Sequence, residues 1–185
     1  MKATEILIAE HIVIVRVLDS LQETVYASAA GKTVRPGFFS DAADFIRGFA
    51  DGCHHRKEEN VLFKAMSASG VPVQGGPVGV MLDEHEQGRQ FTRAMRGGAE
   101  KWQAGQEAGQ VETLKAAQQY IALLRQHILK ENNVLFPMAD RFIPLKDQTQ
   151  VAEDFERVEH EETGASVHEK YLALAEDLEA EAKTW

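Results

Sequence analysis

A single cysteine in 185 residues excludes a disulfide framework, so packing must hold the fold and the reducing cytoplasm is the expected compartment. No apolar run approaches the ~18 residues that a membrane-spanning helix needs. The N-terminus carries an acid, Glu5, almost at once and no cleavage site follows, so it reads as helix rather than signal peptide. Positive charge is short: 20 Lys and Arg stand against 29 Asp and Glu, a formal net charge of −9. Nucleic acid and anionic membrane surfaces both select for clustered cations, so neither is an expected partner. Strand-like alternation is missing, and with it any strand-borne glycine loop for phosphate. The motifs Glu-x-x-His and His-Glu-x-x-His are also missing, which removes ferritin-type centres and zinc proteases.

What is present is helix. Apolar residues make up 44% of the chain and charged ones 26%, globular proportions. Five helical segments are expected. The first runs from about Thr4 to Ala30 with Leu7, His11, Ile14, Leu18, Leu21 and Val25 on one stripe. A second spans roughly Phe39 to Ala68. The third opens at Pro77, carries Met81, His85, Gly88, Thr92 and Met95 on one face, and is expected to weaken near Gly97-Gly98. A fourth covers about Val111 to Phe142, with Ala117, Ile121, Leu124, His127, Glu131, Val134 and Met138 in register and Pro137 as a kink or stop. The acid-rich fifth, about Gln148 to Lys183, changes phase near Gly164. Long helices with short connections predict an all-α, up-down-up-down antiparallel four-helix bundle over residues 1–145. Residues 146–185 would pack on it or extend it.

The chain repeats itself. His54-His55-Arg56-Lys57-Glu58-Glu59-Asn60-Val61-Leu62-Phe63 matches His127-Ile128-Leu129-Lys130-Glu131-Asn132-Asn133-Val134-Leu135-Phe136 at an offset of 73, and Glu10-His11 matches Glu84-His85 at 74. Each half thus brings one helix with a lone His and one with His-x-x-x-Glu. Residues four apart share a helical face, so His54 with Glu58 and His127 with Glu131 can point at one centre. Imidazole and carboxylate suit iron, manganese or zinc. Two carboxylates among four His predict two metals about 3.5–4 Å apart, each Glu able to bridge them.

On these paired blocks the chain, over about Glu5 to Ala139, resembles the hemerythrin family in its bacterial cation-binding branch. That resemblance implies a non-haem di-iron centre, two iron ions bridged by an oxo or hydroxo group. It implies His11, His54, His85 and His127 as imidazole ligands and Glu58 and Glu131 as bridging carboxylates. It also implies a small diatomic ligand, oxygen or nitric oxide. The alternatives are a di-iron oxidoreductase acting on nitric oxide or peroxide, and an iron reservoir or sensor linked to iron–sulfur repair. Two departures stand out. The oxygen carriers have a fifth His four residues after the third-helix His, where this chain has Arg89. Their second carboxylate is an Asp five residues after its His, where Glu131 stands four after His127. Both point away from simple oxygen carriage and toward the branch tied to nitric-oxide stress.

His55 and Glu59 have the same spacing as His54 and Glu58. The repeat favours the latter pair, because Ile128 and Asn132 occupy the equivalents of His55 and Glu59. His55 is therefore expected beside the centre or at the surface. His160, on the Val167, Tyr171, Leu174 stripe, offers a fifth imidazole, although its acidic neighbours read as a solvated face. Cys53 is expected to act as a small buried hydrophobe.

Overall fold

The structure is a computed structural model and describes residues 2–163 and 165–185. Among these the chain is 87% helix and has no strand. Helix α1 covers Ala3–Ala29, α2 Pro36–Phe45, α3 Phe63–Ala68, α4 Pro77–Gln103, α5 Glu107–Lys130, α6 Phe136–Phe142, α7 Leu145–Arg157 and α8 Ala165–Ala182. Between several of these the helix does not stop but widens into π turns, at Ile46–His55, Glu58–Leu62, Glu131–Leu135 and Val158–Thr163. Pro36 and Pro77 lie in the first turns of α2 and α4, where a missing N–H costs nothing. Pro137 likewise falls in the first turn of α6, directly after a π turn, and the helix runs on to Phe142. Gly105, at φ +81°, ends α4 in the left-handed conformation, with its N–H on Trp102 O and the Gln106 N–H on Lys101 O.

The expected stripes of α1 and α4 are the buried ones. On α5 the stripe holds as far as Glu131 and then slips by one: Leu135, Phe136 and Ala139 face inward, while Val134 is 52% exposed. The π turn at Glu131–Leu135 inserts the extra residue that a period of 3.6 does not anticipate. Helix α4 also does not weaken at Gly97-Gly98. It continues to Gln103, and Gly98 is where it meets α5. A Cβ on Gly98 would stand 2.7 Å from Thr113 Oγ1, and one on Gly109 would stand 2.3 Å from the Trp102 nitrogen. These two glycines let the long α4 and α5 pack backbone to backbone.

Two apolar clusters form the core. One gathers Ile14, Leu18, Leu21, Phe38, Phe45, Phe49, Met95, Tyr120 and Leu124. The other gathers Leu7, Leu62, Phe63, Met66, Met81, Leu135, Phe136 and Phe155. Helix α8 packs on α1 and α2 and seats the Tyr171 ring in the notch left by Gly48. The expected phase change at Gly164 lies outside the described residues. No helix among the described residues is long and apolar enough to cross a membrane.

Gly97 has open space around its Cβ position, whereas Gly98 does not. Gly97→Ala should therefore raise stability by about 1 kcal/mol through helix propensity. Gly98→Ala should lower it by about 1–3 kcal/mol through overpacking. Urea midpoints followed by circular dichroism test this, and shifts of the same sign for both would refute the close α4–α5 approach.

Candidate metal centre

The two apolar clusters are separated by a polar layer, and each long helical rod contributes to it at the same height. On α1, His11 stands between Leu7 of one cluster and Ile14 of the other; on α5, His127 follows Leu124 and precedes Leu135. His85 on α4, His54 and His55 at the end of the first π segment, and Glu58 and Glu131 at the starts of the next ones complete the layer. All seven side chains are buried.

They form two groups that share a member. In one, His11, His54, Glu58 and Glu131 each offer a donor atom within 4.8 Å of the others; in the second, His55, Glu58, His85 and His127 do the same. Each carboxylate turns one oxygen to each group. Glu131 Oε2 lies 3.1 Å from His11 Nε2, and its Oε1 lies 3.0 Å from His127 Nε2. Glu58 Oε1 lies 3.7 Å from His54 Nε2, and its Oε2 lies 3.4 Å from His85 Nε2. The His85 and His127 Nε2 atoms are 3.1 Å apart.

Every imidazole is fixed from behind by its other nitrogen. The Nδ1–H groups donate to Asn132 Oδ1 from His11 (2.8 Å), to Glu10 from His54 (2.9 Å) and to Asp51 from His55 (2.9 Å). Those of His85 and His127 donate to Glu59 (2.8 Å) and Glu84 (2.9 Å). Carboxylate and amide oxygens only accept, so each ring keeps its proton on Nδ1 and, once neutral, turns an Nε2 lone pair into the layer. The anchors repeat as the sequence does. Glu10 is braced by Lys57 and Glu84 by Lys130, at matching positions of the two halves. Lys57 is 0% exposed and also donates to Glu159 (2.7 Å), which brings the C-terminal part of the chain to the back of His54.

Inside the layer His11 Nε2, His54 Nε2 and all four oxygens of Glu58 and Glu131 are buried and meet only one another and neighbouring imidazoles, without a well-formed hydrogen bond. Such orphans cost about 1–3 kcal/mol each, more for charged groups. Electrostatics reports the same tension. Burial pushes the Glu58 carboxyl well above its ordinary range, and the adjacent Glu131 charge adds to this. Burial opposes the Glu131 charge too, but His127 and His11 outweigh it and hold Glu131 ionised. Burial also brings His54 down to about 3 and His55 to about 4, keeping both neutral as ligation requires. Against the same penalty, Glu131 and Glu84 raise His127 to about 10. A divalent cation in each group would satisfy the orphaned atoms and relieve the carboxylate pair, so the donor set fits metal.

The expected residues His11, His54, Glu58, His85, His127 and Glu131 thus all meet. His55 corrects the expectation: it is buried inside the layer, stacked at 3.9 Å on the His85 ring. Its counterpart Ile128 is also buried, so the repeat distinguishes the chemistry of this position and not its direction. The π segment Ile46–His55 has no equivalent in α5, and its wider turn lets consecutive histidines both face inward. The adjacent His-His with Asp51 four residues earlier was the available signal. His160 is exposed and takes no part. Cys53 is buried, and burial pushes its thiol up to about 11. It groups with Glu10, Glu159 and His168, where the Lys57 ammonium already lies between the two carboxylates.

The profile of the hemerythrin HHE cation binding domain matches residues 2–139. The chain belongs to this family. Uncharacterised proteins of Mycobacterium bovis and of two Mycobacterium tuberculosis strains are 23% identical to it over 177 residues, 96% of this chain and 69% of theirs. No solved structure matches it.

The metal-free protein should be acid-sensitive in a window set by its buried neutral imidazoles. His54 and His55 titrate near 6.5 when unfolded and near 3 and 4 when folded, so below pH 6.5 the unfolded chain binds more protons. Stability should therefore fall from pH 6.5 toward pH 4, and metal loading should raise stability across the range without removing that limb, because ligated imidazoles bind no protons while the unfolded ones do. Thermal melts of chelated and loaded protein across this range test it; a chelated protein with a level Tm would contradict the neutral, buried His pair.

Proposed function

We propose that this protein is a hemerythrin-like non-haem di-iron protein that binds or senses a small diatomic molecule, oxygen or nitric oxide, with the four-helix bundle in up-down-up-down order. The observation that carries the reading is the pair of donor groups sharing Glu58 and spanned by Glu131, each with orphaned buried donors directed inward. His11 and His54 would hold one iron and His55, His85 and His127 the other, with Glu58 and Glu131 bridging. When bound, such a centre supplies one-electron redox chemistry and an open coordination position.

The chain's own contribution is unequal on the two sides. Three imidazoles belong to one donor group and two to the other, so a metal held by His11 and His54 would have fewer protein ligands and the more room for an external one. That side is apolar: the Phe136 ring stacks on His11 at 5.5 Å and belongs to the same cluster as Leu7 and Leu62. A neutral diatomic enters such surroundings at little cost, whereas a charged species does not. Glu10 and Lys57 hold His54 in its neutral Nδ1–H form, and Asn132 does so for His11. Water exclusion also favours retention of the metal.

Metal analysis of variants tests the assignment. Wild type should hold about two irons per chain. Glu58→Ala and Glu131→Ala should each fall toward one or none, and His55→Ala should fall to about one. Full loading of His55→Ala would return that residue to a supporting role. Rapid mixing of the anaerobic ferrous protein with oxygen or nitric oxide should produce a saturable optical change in one turnover. Continuous consumption of nitric oxide or peroxide with added reductant would instead identify an oxidoreductase.

A further inference from the structure

Although the chain carries a net charge of −9, four of its arginines gather in one cleft. Arg89, Arg93 and Arg96 project from one face of α4, and Arg47 comes from the π segment opposite. With Ala43, Asp51 and Thr92 they line an open cavity of about 380 Å³. That is the size of a small-molecule site and too concave for a flat protein surface.

The rim acids do not use up the guanidinium groups. Asp44 serves both Arg47 (2.7 Å) and Arg96 (3.3 Å), and Glu86 serves both Arg89 (3.0 Å) and Arg93 (3.0 Å). Each arginine has five N–H donors in a planar fork. Among the described contacts, Arg47 and Arg93 each engage only one terminal nitrogen. The other two acids are turned inward. Asp51 accepts from His55 Nδ1, and Glu59 accepts from His85 Nδ1 on the same oxygen that takes Arg89 (3.1 Å). Guanidinium donors therefore face the cleft, while its wall reaches two of the five imidazoles: Asp51 holds His55 directly, and Arg89 holds the Glu59 that anchors His85.

We propose that this cleft binds a small phosphate-bearing anion, and that its occupancy is transmitted through Asp51, Glu59 and Arg89 to His55 and His85 alone. Arginine forks match the oxygens of a phosphate group bidentately. An anion that draws on Arg89 competes with Glu59 for that guanidinium, which changes the acceptor seen by His85. His11, His54 and His127 are anchored by Asn132, Glu10 and Glu84, which neither line the cleft nor pair with one of its arginines among the described contacts. The binding half stands on the cleft itself, and the transmitted half rests on the metal centre proposed above.

Calorimetry of the protein as purified, with inorganic phosphate and with glycerol 3-phosphate at constant ionic strength, tests the binding half. One saturable site per chain is expected, weakened at least tenfold by the double substitution Arg47→Gln/Arg93→Gln. These rim residues touch no imidazole anchor, so metal content and melting temperature should stay as in wild type. Tighter binding of the ester than of inorganic phosphate identifies an organic phosphate as the source, and equal binding identifies the free ion. Absence of saturable binding, or equal binding in the double variant, overturns the site. For the transmitted half, imidazole N–H resonances of zinc-loaded protein should move for His55 and His85 along the same isotherm and stay fixed for His11, His54 and His127. Five equal shifts, or none, overturn the coupling. The isotherm needs neither iron nor a diatomic ligand, so it reads the cleft even if the di-iron reading fails.

Discussion

Five imidazoles and two carboxylates are shut between two apolar clusters, and the cost of that burial organises the molecule around them. Water would solvate these groups well; here each must find its partners within the protein or in a bound cation. The Nδ1 atoms are met by five separate acceptors drawn from four helical rods. The Nε2 atoms and carboxylate oxygens are met by little but each other, with Glu58 destabilised as an anion by Glu131. A metal held there would stabilise only the folded chain, so the burial that sets these groups against one another would also tie folding to loading.

The duplication shares this cost evenly and then breaks the symmetry once. Glu10 with Lys57 and Glu84 with Lys130 repeat one device behind His54 and His127. Asn132 behind His11 and Glu59 behind His85 occupy matching positions but differ in charge. His55 with Asp51 has no counterpart, because Ile128 and Leu124 stand there as core residues. A single imidazole added to one half is enough to make the two sides of the layer chemically unequal. A centre meant to accept an outside ligand at one position needs such inequality.

The helices, their inward stripes and six residues of the layer were legible because a 3.6 period and a 73-residue repeat are both written in residue types. What escaped has one physical cause. Wherever the helix widens into a π turn the register moves by one, and hydrophobic periodicity cannot foretell which turn will widen. That cause hid the inward face of His55 and sent Val134 outward in place of Leu135. Gly98 misled for a different reason. In isolation glycine weakens a helix, whereas here it is the contact that lets α4 approach Thr113 and Gly109. The anchors Glu10, Glu59, Glu84 and Asp51 were visible only as ordinary acids, since their role depends on partners 26–44 residues away or on the π register.

Beyond the anchors the networks end in quite different surroundings, and this sets what each side can respond to. Behind His54 the chain of contacts ends at a fully buried Lys57 held under Glu159. Burial acts against the Lys57 charge, but Glu10 and Glu159 hold the ammonium well above its ordinary pKa, and Glu10 is in turn held at about 2. No solvent ion reaches that pair easily, so salt should screen it little. Behind His85 the contacts end instead at Arg89, in a cleft open to solvent. His54 is therefore backed by a buried ion pair, while His85 is backed by contacts that reach a solvent-open cleft. The difference follows from where the repeat was broken: His55 and Asp51 stand on the rod that faces the arginines of α4.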